Sequence, residues 1–97
     1  MNKQPHEKYS EEKILEYSKK LKVIGHPLRL KLLIIIKEKS SCVGDLWQCL
    51  HTSQPVISQH LAVLKDAGIV TSEVKGNKRI YKVVDTFVED LIQNLKL

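Results

Sequence analysis

Gln54, Ser58 and Gln59 fall on one side of the stretch TSQPVISQHLAVLKDAGIV, Thr52 to Val70, with Ala62 beside them. Their chemistry is hydrogen bonding. An amide offers a donor and an acceptor side by side, which matches the edge of adenine, and a hydroxyl serves as either partner at a base edge. Alanine adds room for close approach. The other side of the stretch carries Ile57, Leu61 and Leu64 at helical spacing. An ordinary surface helix keeps long charged side chains outward, whereas this one shows short polar groups. Such a face suits the major groove of a DNA duplex, about 12 Å wide, which crowding by long side chains would close to it. Taken alone, the stretch also fits an amphipathic core helix with a modest polar face.

The second chemical feature is cationic. Lys75, Lys78 and Arg79 surround Gly76-Asn77, a dipeptide that suits a two-residue hairpin turn. A basic two-stranded ribbon directly after a groove-shaped helix is placed to lie along a neighbouring groove and hold phosphates. Ser53, at the start of the helix, and Lys65, in its last turn, complete the candidate contact set.

Cys42 and Cys49 are the candidates for thiol chemistry. Seven apart on one helix, their Cα atoms would be about 10.5 Å apart. That exceeds the ~7 Å limit for a disulfide without backbone movement. Their ordinary role is packing as small apolar residues, and redox sensing is the alternative. No Ser-His-Asp, Cys-His or paired-carboxylate arrangement stands out, so an enzyme with a small-molecule substrate is not expected.

The elements that must position these residues follow from spacing. Ser10, followed by Glu11 and Glu12, starts a helix in which Ile14, Tyr17, Leu21 and Ile24 recur to Gly25. Pro27 opens a second helix to about Lys37, apolar over most of its circumference and therefore central to the core. Val43 to Leu50 forms a short helix, with Trp47 expected to pack inward. After the junction at His51 and Thr52 comes the opening stretch, with Ser53 as N-cap and Gly68 as stop. Ile69 to Val74 and Arg79 to Val84 are β-branched runs, and Thr86-Phe87-Val88-Glu89 reads as a capping box for a last helix carrying Phe87, Leu91, Ile92 and Leu95. This is a mainly α chain with a β-hairpin, in the order α-α-α-α-β-β-α. Residues 1–8 read as a flexible tail and 9–97 as one domain.

At 97 residues the chain has room for one small domain. No apolar run is long enough to span a bilayer, and MNKQPHEKYSEEK has no secretory apolar region. Two cysteines are too few for a disulfide scaffold, and a cytoplasmic home is expected. The net charge of +5 suits a polyanion. With aromatic residues at 5%, stacking on single-stranded RNA is poorly supplied.

GHPLRLKLL (Gly25 to Leu33), CVGDL (Cys42 to Leu46), SQPVISQHLAVLKDAGIV (Ser53 to Val70) and GNKRIYKV (Gly76 to Val83) resemble the ArsR/SmtB family of bacterial winged-helix repressors. The resemblance spans roughly residues 10 to 95. It implies a winged helix-turn-helix homodimer joined through its first and last helices, binding a dyad-symmetric operator. The dimer residues would be Ile14, Tyr17, Leu21, Phe87, Leu91, Ile92 and Leu95. The positions matching Gln54, Ser58 and Gln59 would face DNA, and those matching Lys78 and Arg79 would lie on the wing. At the helix-turn-helix junction, where a glycine is common, this chain has His51, a residue that tolerates positive φ at some strain.

The family's metal sites are not matched. The thiolate type needs Cys-Val-Cys, and this chain reads Cys42-Val43-Gly44. The zinc type needs Asp-x-His and a later His-x-x-Glu; Phe87 follows Asp85 in the histidine's place, and no histidine follows His60. His6 is isolated in the tail. The expectation is therefore a DNA-binding repressor without metal or cofactor. The alternatives are a thiol-responsive repressor using Cys42 or Cys49, and a winged-helix module that binds protein.

Overall fold

The computed structural model describes residues 4–39 and 43–96, with the side chains of 43–45 excepted. Cys42 lies outside the described residues. The elements are a 3-10 turn at Pro5–Lys8, then α1 (Glu11–Ile24), α2 (Pro27–Lys39), α3 (Val43–Leu50), α4 (Gln54–Asp66), β1 (Val70–Lys75), β2 (Lys78–Val83) and α5 (Thr86–Gln93). The 3-10 turn buries nothing, but it gives local structure to a segment whose composition predicts loose chain.

Each boundary has a local cause. Ser10 Oγ accepts from the Lys13 amide at 3.3 Å and caps α1. Gly25 ends α1 without a left-handed turn, since its φ is −75°. Closeness accounts for the glycine instead: a Cβ there would meet the Leu21 carbonyl at 3.0 Å. The next helix then starts at once, with Pro27 in its first turn.

At the end of α4, Gly68 takes φ +75°. Its amide donates to the Lys65 carbonyl and the Ile69 amide to the Leu64 carbonyl, both at 3.0 Å, which is a Schellman ending. Gly76 takes φ +64° while Asn77 stays negative, the sign pattern of a type II′ hairpin. The register runs from Val70 opposite Val83 to Lys75 opposite Lys78, one residue away from the predicted strand ends.

The capping box predicted at Thr86 moves by one residue. Asp85 is the N-cap of α5, and its carboxylate accepts from the Val88 amide at 3.0 Å. The same carboxylate also takes Lys20 of α1 at 2.6 Å. An aspartate serves both partners, which a threonine hydroxyl could not do with charge.

The core forms around α2, as its apolar circumference predicts. Leu32, Leu33 and Ile36 meet Leu46 of α3, Ile57, Leu61 and Leu64 of α4, Ile69 just before β1, Tyr81 of β2, and Val88 and Ile92 of α5. Trp47 departs from expectation: it is 38% exposed, because Leu46 takes the inward position of the short α3. Ile92 also departs from the predicted dimer set. At 3% exposure it is part of the protomer core, one residue round the helix from outward-leaning Leu91. The whole is a helix-turn-helix followed by a two-stranded wing, and it is elongated, at 60 × 28 × 20 Å.

Candidate nucleic-acid interface

The turn between α3 and α4 is tight and strained at one place. His51 takes φ +51° where glycine would be free of strain, at a cost of about 1–2 kcal/mol. Two hydrogen bonds hold the turn: the Thr52 amide donates to the Trp47 carbonyl at 3.3 Å, and Thr52 Oγ1 donates to the Leu50 carbonyl at 3.1 Å. The next residue, Ser53, has extended backbone and caps α4 through its carbonyl, which accepts from Ile57; its hydroxyl makes no capping bond. Pro55 sits in the first turn, where no helical N–H is lost.

From that start, α4 divides cleanly. Ile57, Leu61 and Leu64 are fully buried, and they fix the rotation of the helix on α2. The opposite side shows Gln54, Ser58, Gln59 and Ala62 to solvent, with Lys65 at its far end. The short polar groups thus share one exposed stripe. His60 lies off that stripe and half-buried, and its Nδ1 accepts from Arg29 Nε of α2 at 3.1 Å. Burial, then His26, then Arg29 hold the His60 imidazole below its ordinary pKa.

The wing is joined to this stripe by a residue that sequence reasoning missed. Ser72 Oγ of β1 accepts from Lys65 Nζ of α4 at 3.1 Å and from Arg79 Nη1 of β2 at 3.2 Å. Two cations from two elements converge on one hydroxyl, which makes a place where a phosphate oxygen could displace the hydroxyl as acceptor. Register is the signal that could have found it, since Ser72 lies two residues from Val74, the partner of Arg79. Lys75 and Lys78 face each other at the wing tip, both exposed. Lys75 lies 3.5 Å from Glu73, so its charge is partly answered within the wing.

On the far side, α1 and α5 are locked to each other. Tyr17 and Phe87 stack with centroids 4.4 Å apart and planes 13° apart. The hydrogen bond from Lys20 to Asp85 holds the Lys20 ammonium above its usual pKa range. Tyr17, Phe87 and Leu91 are half-buried by these contacts, while Ile14, Leu21 and Leu95 stay exposed. Leu15, absent from the predicted set, is 56% exposed.

Cys49 is an exposed free thiol, where packing into the core was the simpler expectation. Among the described residues, no three His, Cys, Asp or Glu side chains come together as a metal site, and no helix is long and apolar enough to cross a membrane.

The family model described as "Bacterial regulatory protein, arsR family" matches residues 26–72, from the start of α2 into β1. The arsenical resistance operon repressor of Staphylococcus xylosus is 35% identical over 82 residues, covering 84% of this chain and 79% of that protein. The HTH-type transcriptional repressor SmtB of Mycobacterium tuberculosis is 35% identical over 72 residues, covering 74% of this chain. This chain spans about half the length of that mycobacterial relative, 53%. Among solved structures, HlyU from Vibrio cholerae superposes with a TM-score of 0.84 at 29% identity, covering 89% of this chain and 94% of that one. By these likenesses, and by the winged helix-turn-helix that carries them, the chain belongs to the arsR family of bacterial regulatory proteins.

Proposed function

We propose that the protein is a dimeric, sequence-specific DNA-binding repressor that acts in the cytoplasm on an operator of dyad symmetry. The single observation that carries this is the exposed stripe of α4, Gln54, Ser58, Gln59 and Ala62, continuous with the cations Lys65 and Arg79 gathered on Ser72. In this reading, α4 enters a major groove and its amides and hydroxyl meet base edges. Ser53 and the wing residues Lys75, Lys78 and Arg79 meet phosphates, which sets the register of the helix on the duplex. The relatives' printed names, repressors in both bacteria, support the same direction of control.

Dimerisation through α1 and α5 supplies the dyad. Ile14, Leu15, Leu21 and Leu95 give it an apolar surface, and the Tyr17–Phe87 stack and the Lys20–Asp85 pair make α1 and α5 one rigid body. Control without the family's metals rests on Gly44 and Phe87 standing where ligands are needed.

The test is binding of the purified protein to duplex DNA from upstream of its own gene, against random duplex, over a salt series. The expected result is at least about 1,000-fold preference for the upstream DNA, with steep weakening by salt. Equal, weak and salt-insensitive binding to both would favour a protein-binding module.

A further inference from the structure

One polar cluster joins three helices behind the DNA-facing stripe. The rings of His26 and His60 lie 4.6 Å apart, tilted by 46°. His26 closes the start of α2: its Nδ1 accepts from the Leu28 amide at 3.1 Å and its carbonyl from the Leu30 amide at 2.9 Å. His60 belongs to α4, directly after Gln59, and its Nδ1 accepts from Arg29 Nε. Arg29 also donates through Nη1 to the Val23 carbonyl at the end of α1, at 2.9 Å. One guanidinium therefore ties the support helices to the middle of α4.

The direction of the Arg29 bond matters. A guanidinium only donates, so His60 Nδ1 must be the acceptor, which the ring offers when it is neutral with its hydrogen on Nε2. A proton added at His60 Nδ1 would set N–H against N–H and a cation against Arg29. The donors cannot reverse, so the link has no alternative form. We propose that this cluster is a proton-operated coupling between α2 and α4, in which proton uptake at His60 breaks the Arg29 link, loosens α4 on its support and weakens binding to DNA. The proposal rests on the DNA-binding reading above.

The surroundings of His60 set the pH window. His26 and Arg29 both oppose its charging, and burial does so more than either. From α1 the nearest partner is the Val23 carbonyl, through Arg29; the α1 carboxylates Glu12 and Glu16 border Ala67, beyond the other end of α4. From α3 the described titratable group is Cys49, which is exposed. From the wing, Glu73 is engaged by Lys75 and Lys82. Among the described residues, no carboxylate pairs with either ring.

His60 in the linked state thus titrates below the ordinary imidazole value of about 6.5. The link is fully present above that value. It is lost as pH falls from there through the lowered value, because the loosened state takes the proton more readily. A general gain of positive charge on acidification would tighten binding to DNA, so the expected sign is opposite to that background.

Two measurements test this. Affinity for the upstream duplex is measured at pH 7.5 and 5.8 at constant salt, for the wild type, His60→Asn and His26→Asn. Asparagine keeps an acceptor near the Nδ1 position and does not titrate, and melting at pH 7.5 checks that both variants fold. With at most about fivefold available from one imidazole over this range and one His60 in each half of the dimer, the wild type is expected to lose about tenfold in affinity at the lower pH, and His60→Asn less than threefold. Unchanged or tighter wild-type binding at pH 5.8, or an undiminished loss in His60→Asn, overturns the coupling.

The second measurement needs no DNA. An NMR titration is expected to show His60 protonating below pH 6.5, with the amides of Gln59 to Leu61 and Arg29 Nε–H shifting on the same curve. If those signals stay still, the coupling is overturned even with DNA binding intact. If they shift while no duplex is bound at pH 7.5, the DNA-binding reading fails instead.

Discussion

Replacing Leu21 with aspartate tests the dimer without disturbing the protomer. Leu21 is 45% exposed on α1, in line with Ile14 seven residues before it, so little of the protomer's own packing depends on it. The protomer shows 6991 Å² of surface, against about 5,700 Å² for a compact chain of its mass. Its radius of gyration is 15.7 Å, against about 13 Å for a compact chain of this length. The excess surface, about 1,300 Å², is more than one half of a standard interface, about 800 Å², would cover.

Covering the exposed part of Leu21 stabilises a dimer by about 1 kcal/mol per protomer. Twofold symmetry counts it twice, so Leu21→Ala is expected to weaken the dimer by about 30-fold. An aspartate enclosed there without a partner costs about 3 kcal/mol per copy even at the lower bound. Doubled, that is about 10⁴-fold in Kd. Sedimentation velocity at micromolar concentration should then show monomers for Leu21→Asp, with a helical spectrum and melting curve close to those of the wild type. Affinity for the operator should fall with the dimer. A Leu21→Asp protein that still sediments as a dimer would refute the assignment of this face.

Arg79→Ala should weaken binding to upstream and random duplex alike and flatten the salt dependence by about one unit, as a phosphate contact does; an effect confined to the upstream DNA would make it a base contact. Ser72→Ala should weaken both duplexes by a few-fold, because Lys65 and Arg79 lose the hydroxyl that gathers them, and Ser72→Thr should restore binding. Gly68→Ala should lower stability by about 1 kcal/mol in thermal melting, since φ +75° is strained for any side chain; unchanged melting would mean that the Schellman ending rearranges freely. Zinc, cadmium, lead and arsenite should leave operator affinity within about threefold, less than ~0.7 kcal/mol of coupling. One tight metal per protomer with a tenfold loss of affinity would contradict the metal-independent reading.

Periodicity made the helices and the hairpin legible because burial repeats along the chain. Ile57, Leu61 and Leu64 mark the inward side of α4, and the same spacing places Gln54, Ser58 and Gln59 outward. The positive φ at His51 was legible for a different reason: the resembled family commonly has a glycine at this junction, and histidine tolerates the same backbone. What spacing could not resolve lies within one residue of a boundary or depends on a distant partner. Asp85 displaces Thr86 as the cap of α5 because Lys20, 65 residues earlier, also needs its carboxylate. Ile92 turns inward although its neighbour Leu91 leans outward, and both fit an apolar face. Trp47 and Cys49 are exposed because the eight-residue α3 buries only a narrow side. The tie between Arg29 and His60 spans 31 residues and joins two positions that show no pattern locally.

The most direct test of the central claim, that the exposed stripe of α4 reads base edges, is the specificity ratio of Gln59→Ala. Affinity for upstream duplex and for random duplex is measured for wild type and variant at one salt concentration. Gln59 is exposed in the protomer and makes no contact needed by the core, so the variant should fold normally. Loss of a bidentate base contact costs about 1–3 kcal/mol on the specific site and little elsewhere, so the ratio should fall by about 5- to 150-fold. Equal losses on both duplexes, or none on either, would contradict the claim and move base readout away from α4.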